Sequence, residues 1–201
     1  FFLGGATGVE QAGEATGYIP NPEDTGEGIN VIYANTTFGQ GMSATMVQMA
    51  AAFGSIVNGG TYYQPRLVEA TRSLQGSYES LDPVVKREHT ISTHASDDIA
   101  GLLEKVTDHT TIIRNVQRDG YRIGGKTGTA EIARPEGGYY TDRYNGTYLG
   151  FVGGDKPEYV IAILVNTPKI PGNAGYVAAT PLFRDVTTML IDNFGVTPMT
   201  R

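Results

Sequence analysis

Residues 124–130 read Gly-Gly-Lys-Thr-Gly-Thr-Ala, and this run restricts the possible folds of the chain more than any other feature. A strand-like pattern continues on both sides of the run. Glycines within a strand let another backbone approach closely, while the lysine supplies a fixed positive charge and the threonines supply hydroxyl donors. The run therefore predicts an outer strand of a sheet, able to pair with an extended peptide and hold its carboxylate.

The same region also satisfies the nucleotide-binding pattern G-x-x-x-x-G-K-[ST], from Gly120 to Thr127. A P-loop needs a buried strand before the first glycine and a helix directly after the Lys-Thr pair. Here the polar residues 117–119 precede the pattern, and Gly128 and Pro135 follow it, which opposes a helix. A P-loop nucleotide binder is therefore an alternative that the context disfavours.

Elsewhere the periodicity of apolar residues predicts helices and short strands. We expect an irregular segment over 1–37, helices over 44–58, 96–108 and 178–194, strands over 61–63, 66–71, 121–129, 130–133, 148–153 and 159–165, and a polar hairpin or loop over 72–92. Residues 134–145 are expected to form a mobile hairpin loop beside the cleft, contacting an acceptor peptide or a partner, or simply exposed. This order predicts an α+β fold, with helices flanking an antiparallel sheet.

Caps and apolar faces refine this prediction. Ser43 and Ser96 are the expected starts of the first two helices, and Pro181 should lie in the first turn of the last one. The apolar run 159–165 is typical of a central strand covered on both faces. The expected core faces are Met46, Met49, Ala50, Phe53, Ile56 and Val57; then Ile99, Leu102, Leu103 and Val106; then Val186, Met189, Leu190 and Phe194.

Charge and composition exclude several classes of function. The net charge is −6 and the isoelectric point is about 5.0, which argues against a nucleic-acid-binding surface. The chain has no cysteine, and its three histidines lack the spacing of metal ligands, so we expect no metal and no cofactor. No apolar stretch is long enough to span a membrane. The abrupt start at Phe1 predicts that an upstream part of the domain precedes it.

Several further motifs, in order along nearly the whole chain, resemble those of class B penicillin-binding proteins. The matching segments are 13–17 (Gly-Glu-Ala-Thr-Gly, with Ala12 where proline is usual) and Pro20; 38–41 (Phe-Gly-Gln-Gly), Thr45 and 48–53; 58–60 (Asn-Gly-Gly), Pro65, Leu67 and Val68; 125–130, with the family's Lys-Thr-Gly box; and 148–153. The resemblance implies the serine β-lactamase and penicillin-binding transpeptidase fold, with residues 1–201 as the C-terminal portion of that domain.

Members of this family are D,D-transpeptidases that cross-link peptidoglycan through a serine acyl-enzyme. The resemblance implies that stem peptides ending in D-Ala-D-Ala, and the β-lactams that mimic them, are bound by the Lys-Thr-Gly strand. Lys126 would stabilise the ligand carboxylate, and Thr129 would bind it through its hydroxyl and supply an oxyanion-hole N–H. Thr127 would contribute to carboxylate binding, and with Gly128 it would shape the strand edge.

The chain departs from the family in one respect: none of its seven serines is followed by Lys three residues later or by Asn two residues later. The nucleophile is therefore expected in the upstream half, and this chain alone is expected to be inactive. The family also implies an anchored parent protein on the outer face of the bacterial cytoplasmic membrane, with other cell-wall synthesis proteins as possible partners. A non-catalytic β-lactam or peptidoglycan sensor, or a pseudoenzyme, stays open as an alternative.

Overall fold

The described residues form groups of helices and groups of strands that alternate along the chain. The structure, a computed structural model, describes residues 1–21, 23–26, 28–110, 117–170, 172 and 174–200. The helices are α1 (Ile29–Thr36), α2 (Met46–Val57), α3 (Thr93–Asp108) and α4 (Thr180–Asn193), with a π-helical turn (Gly175–Ala179) directly before α4. The strands are β1 (Tyr62–Tyr63), β2 (Ala70–Arg72), β3 (Tyr78–Ser80), β4 (Val85–Arg87), β5 (Arg122–Ala133), β6 (Tyr139–Gly153) and β7 (Pro157–Asn166).

The three long strands form an antiparallel sheet in the order β5-β6-β7, with helices on both of its faces. On one face, α4 and the residues after it cover a core that includes Ile123, Tyr148 and Phe183. On the other face, α2 and α3 cover Phe151, through side chains such as Phe53 and Ala100. The predicted α+β fold is therefore confirmed. The sheet lies between the two cores, and one core packs on each of its faces.

Helix α2 begins two residues later than predicted. Thr45, rather than Ser43, is the N-cap: its side chain accepts from the amide of Gln48, and the Gln48 side chain accepts from the amide of Thr45. Ser43 instead exchanges backbone hydrogen bonds with Tyr18. Phe53, Ile56 and Val57 enter the core as expected, whereas the predicted core residues Met46 and Ala50 line an open apolar groove.

Helix α3 also differs from its prediction, because Ser92 caps it and Ser96 lies inside it. Ser96 is buried and donates to the carbonyl of Ile56, which ties α3 to the end of α2. The buried face is formed by Ser96, Ala100 and Thr107. Of the four predicted core residues, Leu103 packs inward, while Leu102 and Val106 are exposed. The small residues let the helix lie close to the sheet.

The sheet is longer and ordered differently than the sequence predicted. Strand β5 is continuous where two strands were expected, and β6 begins at Tyr139, so the predicted loop over 134–145 is reduced to a turn over 134–138. The central strand of the three is β6. The prediction that 159–165 is a central strand was wrong for the described sheet, in which β7 is an outer strand. The predicted cover on both faces is present in part, because Ile161 packs into one core and Val160 into the other, while Leu164 is 45% exposed.

Smaller differences occur in the first half. Helix α1 lies within the segment predicted to be irregular, and part of that segment, Pro22 and Glu27, lies outside the described residues. The strand expected over 66–71 is β2, and it pairs with β3 in a hairpin, while β1 pairs with β4.

The last helix has Pro181 in its first turn as predicted. Its inward residues include Val186 and Leu190, but Met189 and Phe194 are exposed.

Candidate active site

Strand β5 carries all four of the predicted site residues, Lys126, Thr127, Gly128 and Thr129. The strand continues without interruption through Lys126 and Thr127 to Ala133, so no helix directly follows the Lys-Thr pair. A P-loop would require a helix at that point, so the nucleotide-binding alternative is wrong. The predicted outer strand is confirmed within the described sheet, because β6 is its only partner there.

The cationic group of the site is the exposed side chain of Lys126. Its Nζ atom lies 2.9 Å from the main-chain oxygen of Thr127 and 3.3 Å from the Thr127 hydroxyl. The ion pairs found among the described residues do not include Lys126. The structure therefore brings Lys126 and Thr127 together and leaves the ammonium without a carboxylate partner from those residues.

Close backbone packing explains the glycines of the run. A Cβ atom at Gly125 would lie 2.3 Å from the Tyr148 ring, and one at Gly124 would lie 2.5 Å from the Phe151 ring. A Cβ atom at Gly128 would lie 2.4 Å from the hydroxyl oxygen of Thr147 on the neighbouring strand. These glycines therefore bring β5 close to the aromatic rings and the Thr147 side chain of β6.

Thr129 is separated from Lys126 by strand alternation. Side chains two apart share a face, so Lys126 and Gly128 lie on the α3 side, while Thr127 and Thr129 lie on the α4 side. The hydroxyl oxygen of Thr129 accepts a hydrogen bond from the amide of Gly175, at 3.1 Å. Thr129 nevertheless remains exposed, so a ligand lying along the edge of β5 has access to both faces.

Helix α3 fixes the start of the strand. Arg122 and Glu104 form an ion pair of 2.6 Å in which both side chains are mostly shielded from solvent. The buried hydroxyl of Thr107 lies 2.7 Å from the carbonyl oxygen of Ile123 and accepts from Gln117 at 3.2 Å. These contacts hold the strand at Arg122 and Ile123, three to four residues before Lys126, so the exposed site lies next to a strand end fixed by shielded polar contacts.

The core beneath the site is apolar enough to affect ionisation. Tyr148 stacks on Phe183 with ring centroids 4.2 Å apart, and its hydroxyl is buried. Burial raises the pKa of the Tyr148 hydroxyl well above its ordinary value of 10.0, because the phenolate would lose its hydration. Tyr148 is therefore a neutral packing residue and not a base for the site.

Two residues of the site were not predicted. Gly175 contacts Thr129 although 46 positions separate them, and Thr147 fills the space beside Gly128 from the opposite strand. A signal for Thr147 was present, because the register of a β5–β6 hairpin would have placed it opposite Gly128. No local pattern distinguishes Gly175 from the other glycines of the chain.

The arrangement suits one kind of ligand chemistry. An ammonium, two hydroxyls and an outer strand edge can bind a carboxylate at the end of an extended peptide.

Residues 1–188 match the family model of the penicillin binding protein transpeptidase domain. The chain belongs to this penicillin-binding transpeptidase family. The resemblance seen in the motifs is thereby confirmed.

Similar proteins support the same assignment. Stage V sporulation protein D of Bacillus subtilis is 34% identical over 98% of this chain, and penicillin-binding protein PbpB of Mycobacterium tuberculosis is 33% identical over 98% of it. The crystal structure of penicillin binding protein 3 from Mycobacterium tuberculosis, complexed with ampicillin, superposes with a TM-score of 0.81 at 29% identity. That match covers 100% of this chain and 45% of the solved chain.

The penicillin-binding transpeptidase relatives are longer than this chain, which spans 30% of the length of both curated proteins. Other relatives of the chain are named peptidoglycan D,D-transpeptidases, among them MrdA of Acinetobacter baumannii, which is 30% identical over 91% of this chain. None of the helices in the described residues is long and apolar enough to cross a membrane.

Proposed function

We propose that this chain is the C-terminal part of a peptidoglycan D,D-transpeptidase domain and supplies its carboxylate-binding strand. The observation that carries the proposal is the Lys126 ammonium, exposed on an outer strand 3.3 Å from the Thr127 hydroxyl, with no carboxylate partner among the described residues. A cation without an internal anion, next to hydroxyl donors, suits the terminal carboxylate of a D-Ala-D-Ala stem peptide or a β-lactam.

The reaction needs a nucleophile that this sequence does not supply at a matching motif. In the proposed scheme a serine in the upstream part attacks the penultimate carbonyl, D-Ala leaves, and an amine of a second stem peptide resolves the acyl-enzyme. Lys126 and Thr127 hold the substrate carboxylate, Thr129 adds its hydroxyl and an oxyanion-hole amide, and Gly128 keeps the strand edge open. Losing one oxyanion donor typically costs roughly 3 kcal/mol of transition-state stabilisation.

The same proposal extends to partners and location. Stem peptides and β-lactams are the proposed ligands, and the upstream half of the domain is the proposed structural partner. Two solved structures of penicillin binding protein 3, at 29% and 30% identity, are complexes with ampicillin and with aztreonam, which supports β-lactam binding here. We place the longer protein on the outer face of the cytoplasmic membrane, with other cell-wall synthesis proteins as partners.

Labelling with a fluorescent penicillin tests the proposal. The longer polypeptide that includes the upstream serine is expected to form a covalent adduct of one label per chain, while the 201-residue chain alone forms none. Intact-mass spectrometry measures both. An unlabelled longer polypeptide would contradict the enzyme proposal, and reversible binding without an adduct would favour a sensor or pseudoenzyme.

A further inference from the structure

Direct backbone contact joins the π-helical turn to the two strands of the site. A Cβ atom at Gly175 would lie 2.4 Å from the carbonyl oxygen of Gly128, and a Cβ atom at Gly146 would lie 2.3 Å from the carbonyl oxygen of Ala174. Real Cβ atoms do not approach backbone atoms so closely. Glycine at Gly175 and Gly146 therefore allows the turn to rest on β5 and β6 without intervening side chains.

The amide of Gly175 is the group that makes use of this contact. The first amides of a helix have no partner within it, and at Gly175 the partner is the Thr129 hydroxyl oxygen, 3.1 Å away on another element. The carbonyl of Gly175 is held as well, since it accepts from the backbone amide of Thr180 and from the buried Thr180 hydroxyl at 3.2 Å. Gly175 is therefore fixed on both sides.

This bond is one of the contacts that orient the Thr129 side chain, and it polarises the hydroxyl. An oxygen that accepts one hydrogen bond becomes a stronger donor through its own proton, because hydrogen bonds in a chain reinforce one another. We propose that Gly175 is a positioning residue that orients the Thr129 hydroxyl toward the ligand carboxylate and so makes the site selective for carboxylate-bearing peptides and β-lactams. This inference rests on the proposed function of Thr129.

Selectivity between two ligands tests the role of Gly175 directly. In the longer polypeptide, second-order acylation rate constants are measured for ampicillin and for its methyl ester, which lacks the carboxylate. The variant Gly175→Ala is expected to slow acylation by ampicillin at least about tenfold, the loss expected for one hydrogen bond to a charged group. Acylation by the ester should change by no more than about twofold.

A double-mutant cycle with Thr129→Val shows whether the two residues act together. Thr129→Val keeps the shape and removes the hydroxyl, so it should reproduce the loss with ampicillin, and adding Gly175→Ala should produce no further loss of selectivity. Equal slowing of both ligands by Gly175→Ala, or additive effects in the cycle, would overturn the inference.

A second variant tests the same inference in case Gly175→Ala does not fold. If Gly175→Ala yields no folded protein, Thr180→Val removes one hold on the Gly175 carbonyl without adding bulk at the contact. It should lower the ampicillin-to-ester ratio by about threefold, a part of one hydrogen bond, and an unchanged ratio would overturn the inference. Wild-type protein that reacts with neither ligand would instead contradict the proposed function, so the two failures are distinguishable.

Discussion

The hydroxyl oxygen of Thr107 lies 2.7 Å from the main-chain carbonyl oxygen of Ile123, so helix α3 is hydrogen-bonded directly to the strand that carries Lys126. Thr107 is 0% exposed, and water has no access to replace this bond. The ion pair between Arg122 and Glu104 lies beside it, at the same end of the strand. The lysine is therefore exposed on a strand whose base is held by buried polar contacts.

The first prediction concerns this contact. Thr107→Val keeps the shape of the side chain and removes its hydroxyl, so the carbonyls of Ile123 and Glu104, which share the hydroxyl proton, lose a buried partner. Leaving a buried acceptor unsatisfied costs about 1–3 kcal/mol, and we expect a fall of that size in the free energy of unfolding, measured in urea. Thr110→Val is the matched control, because the Thr110 hydroxyl, just beyond the end of α3, donates to the Val106 carbonyl in a solvent-exposed bond; it should change stability by less than about 0.5 kcal/mol.

The second prediction concerns the glycine that brings β5 against β6. Gly124→Ala places a methyl group 2.5 Å from the Phe151 ring and 3.0 Å from the Glu104 amide, so either the core or α3 must shift. Overpacking of this kind should cost about 2 kcal/mol in thermal or urea unfolding.

Gly101→Ala is the control for that substitution, since nothing lies within 4 Å of a Cβ atom at Gly101 in α3. It should stabilise the protein by up to about 1 kcal/mol through helix propensity. If the two alanine variants were equally stable, the close approach at Gly124 would not be the reason for glycine there.

How far the sequence predicted the structure depended on whether the signal was local. The Lys-Thr-Gly strand was predicted correctly because its residues are consecutive, and the P-loop was disfavoured by its immediate neighbours. The cap of α2 was missed although Thr45 and Gln48 have the capping-box spacing. That spacing is a local signal that the helix begins at Met46.

Other features could not be predicted because they depend on contacts far apart in sequence. The apolar composition of β7 was interpreted as central-strand composition, yet strand order is not encoded in the apolarity of a single strand. The bond between Gly175 and Thr129 joins residues 46 apart, and it exists only once α4 packs on the sheet. Likewise, the buried face of α3 was missed because its buried residues are small ones, Ser96, Ala100 and Thr107, rather than leucines.

The third prediction concerns Gln48, a fully buried amide that joins α2 to the first residues of the chain. Its Nε2 atom donates to the carbonyls of Gly5 and Thr16, at 2.6 Å and 2.8 Å, and its Oε1 accepts from the amide of Thr45. Gln48→Leu leaves these backbone groups without a partner, so we expect a loss of about 3 kcal/mol in the free energy of unfolding.

Limited proteolysis should report where that loss acts. Cleavage within residues 1–20 should become faster in Gln48→Leu, because the carbonyls of Gly5 and Thr16 are no longer held. Gln64→Leu is the control, since Gln64 makes one exposed bond to the carbonyl of Gly8. Equal protease sensitivity in the two variants would show that the buried amide does not anchor this segment.

The fourth prediction is a pH dependence of stability. Glu14 accepts from the hydroxyl and the amide of Thr7 and from the amide of Gly8, and these bonds hold the pKa of its carboxyl below the usual 4.5. Because the folded pKa is lower than the unfolded one, the carboxylate stabilises the protein above pH 4.5, and this contribution is lost as pH falls through the folded pKa.

Glu14→Gln should therefore flatten the acid side of the curve of unfolding free energy against pH. Glu79→Gln on strand β3, where the side chain is exposed, serves as the control and should leave the slope as it is in the wild type. A slope that is unchanged in Glu14→Gln would contradict the role assigned to the Thr7 bonds.

The last prediction tests the charge at the site. Lys126→Ala removes the ammonium while leaving the backbone of β5 intact, and the carboxylate of the ligand then loses a charge-assisted partner worth about 2 kcal/mol, or roughly 30-fold in rate. We expect acylation of the longer polypeptide by a fluorescent penicillin to slow by that factor, with thermal stability unchanged. Lys86→Ala is the matched control, because Lys86 is an exposed lysine on strand β4. The selectivity for a free carboxylate over its ester should fall in Lys126→Ala and not in Lys86→Ala, and a loss that is the same for both ligands would mean that the ammonium does not act through the carboxylate.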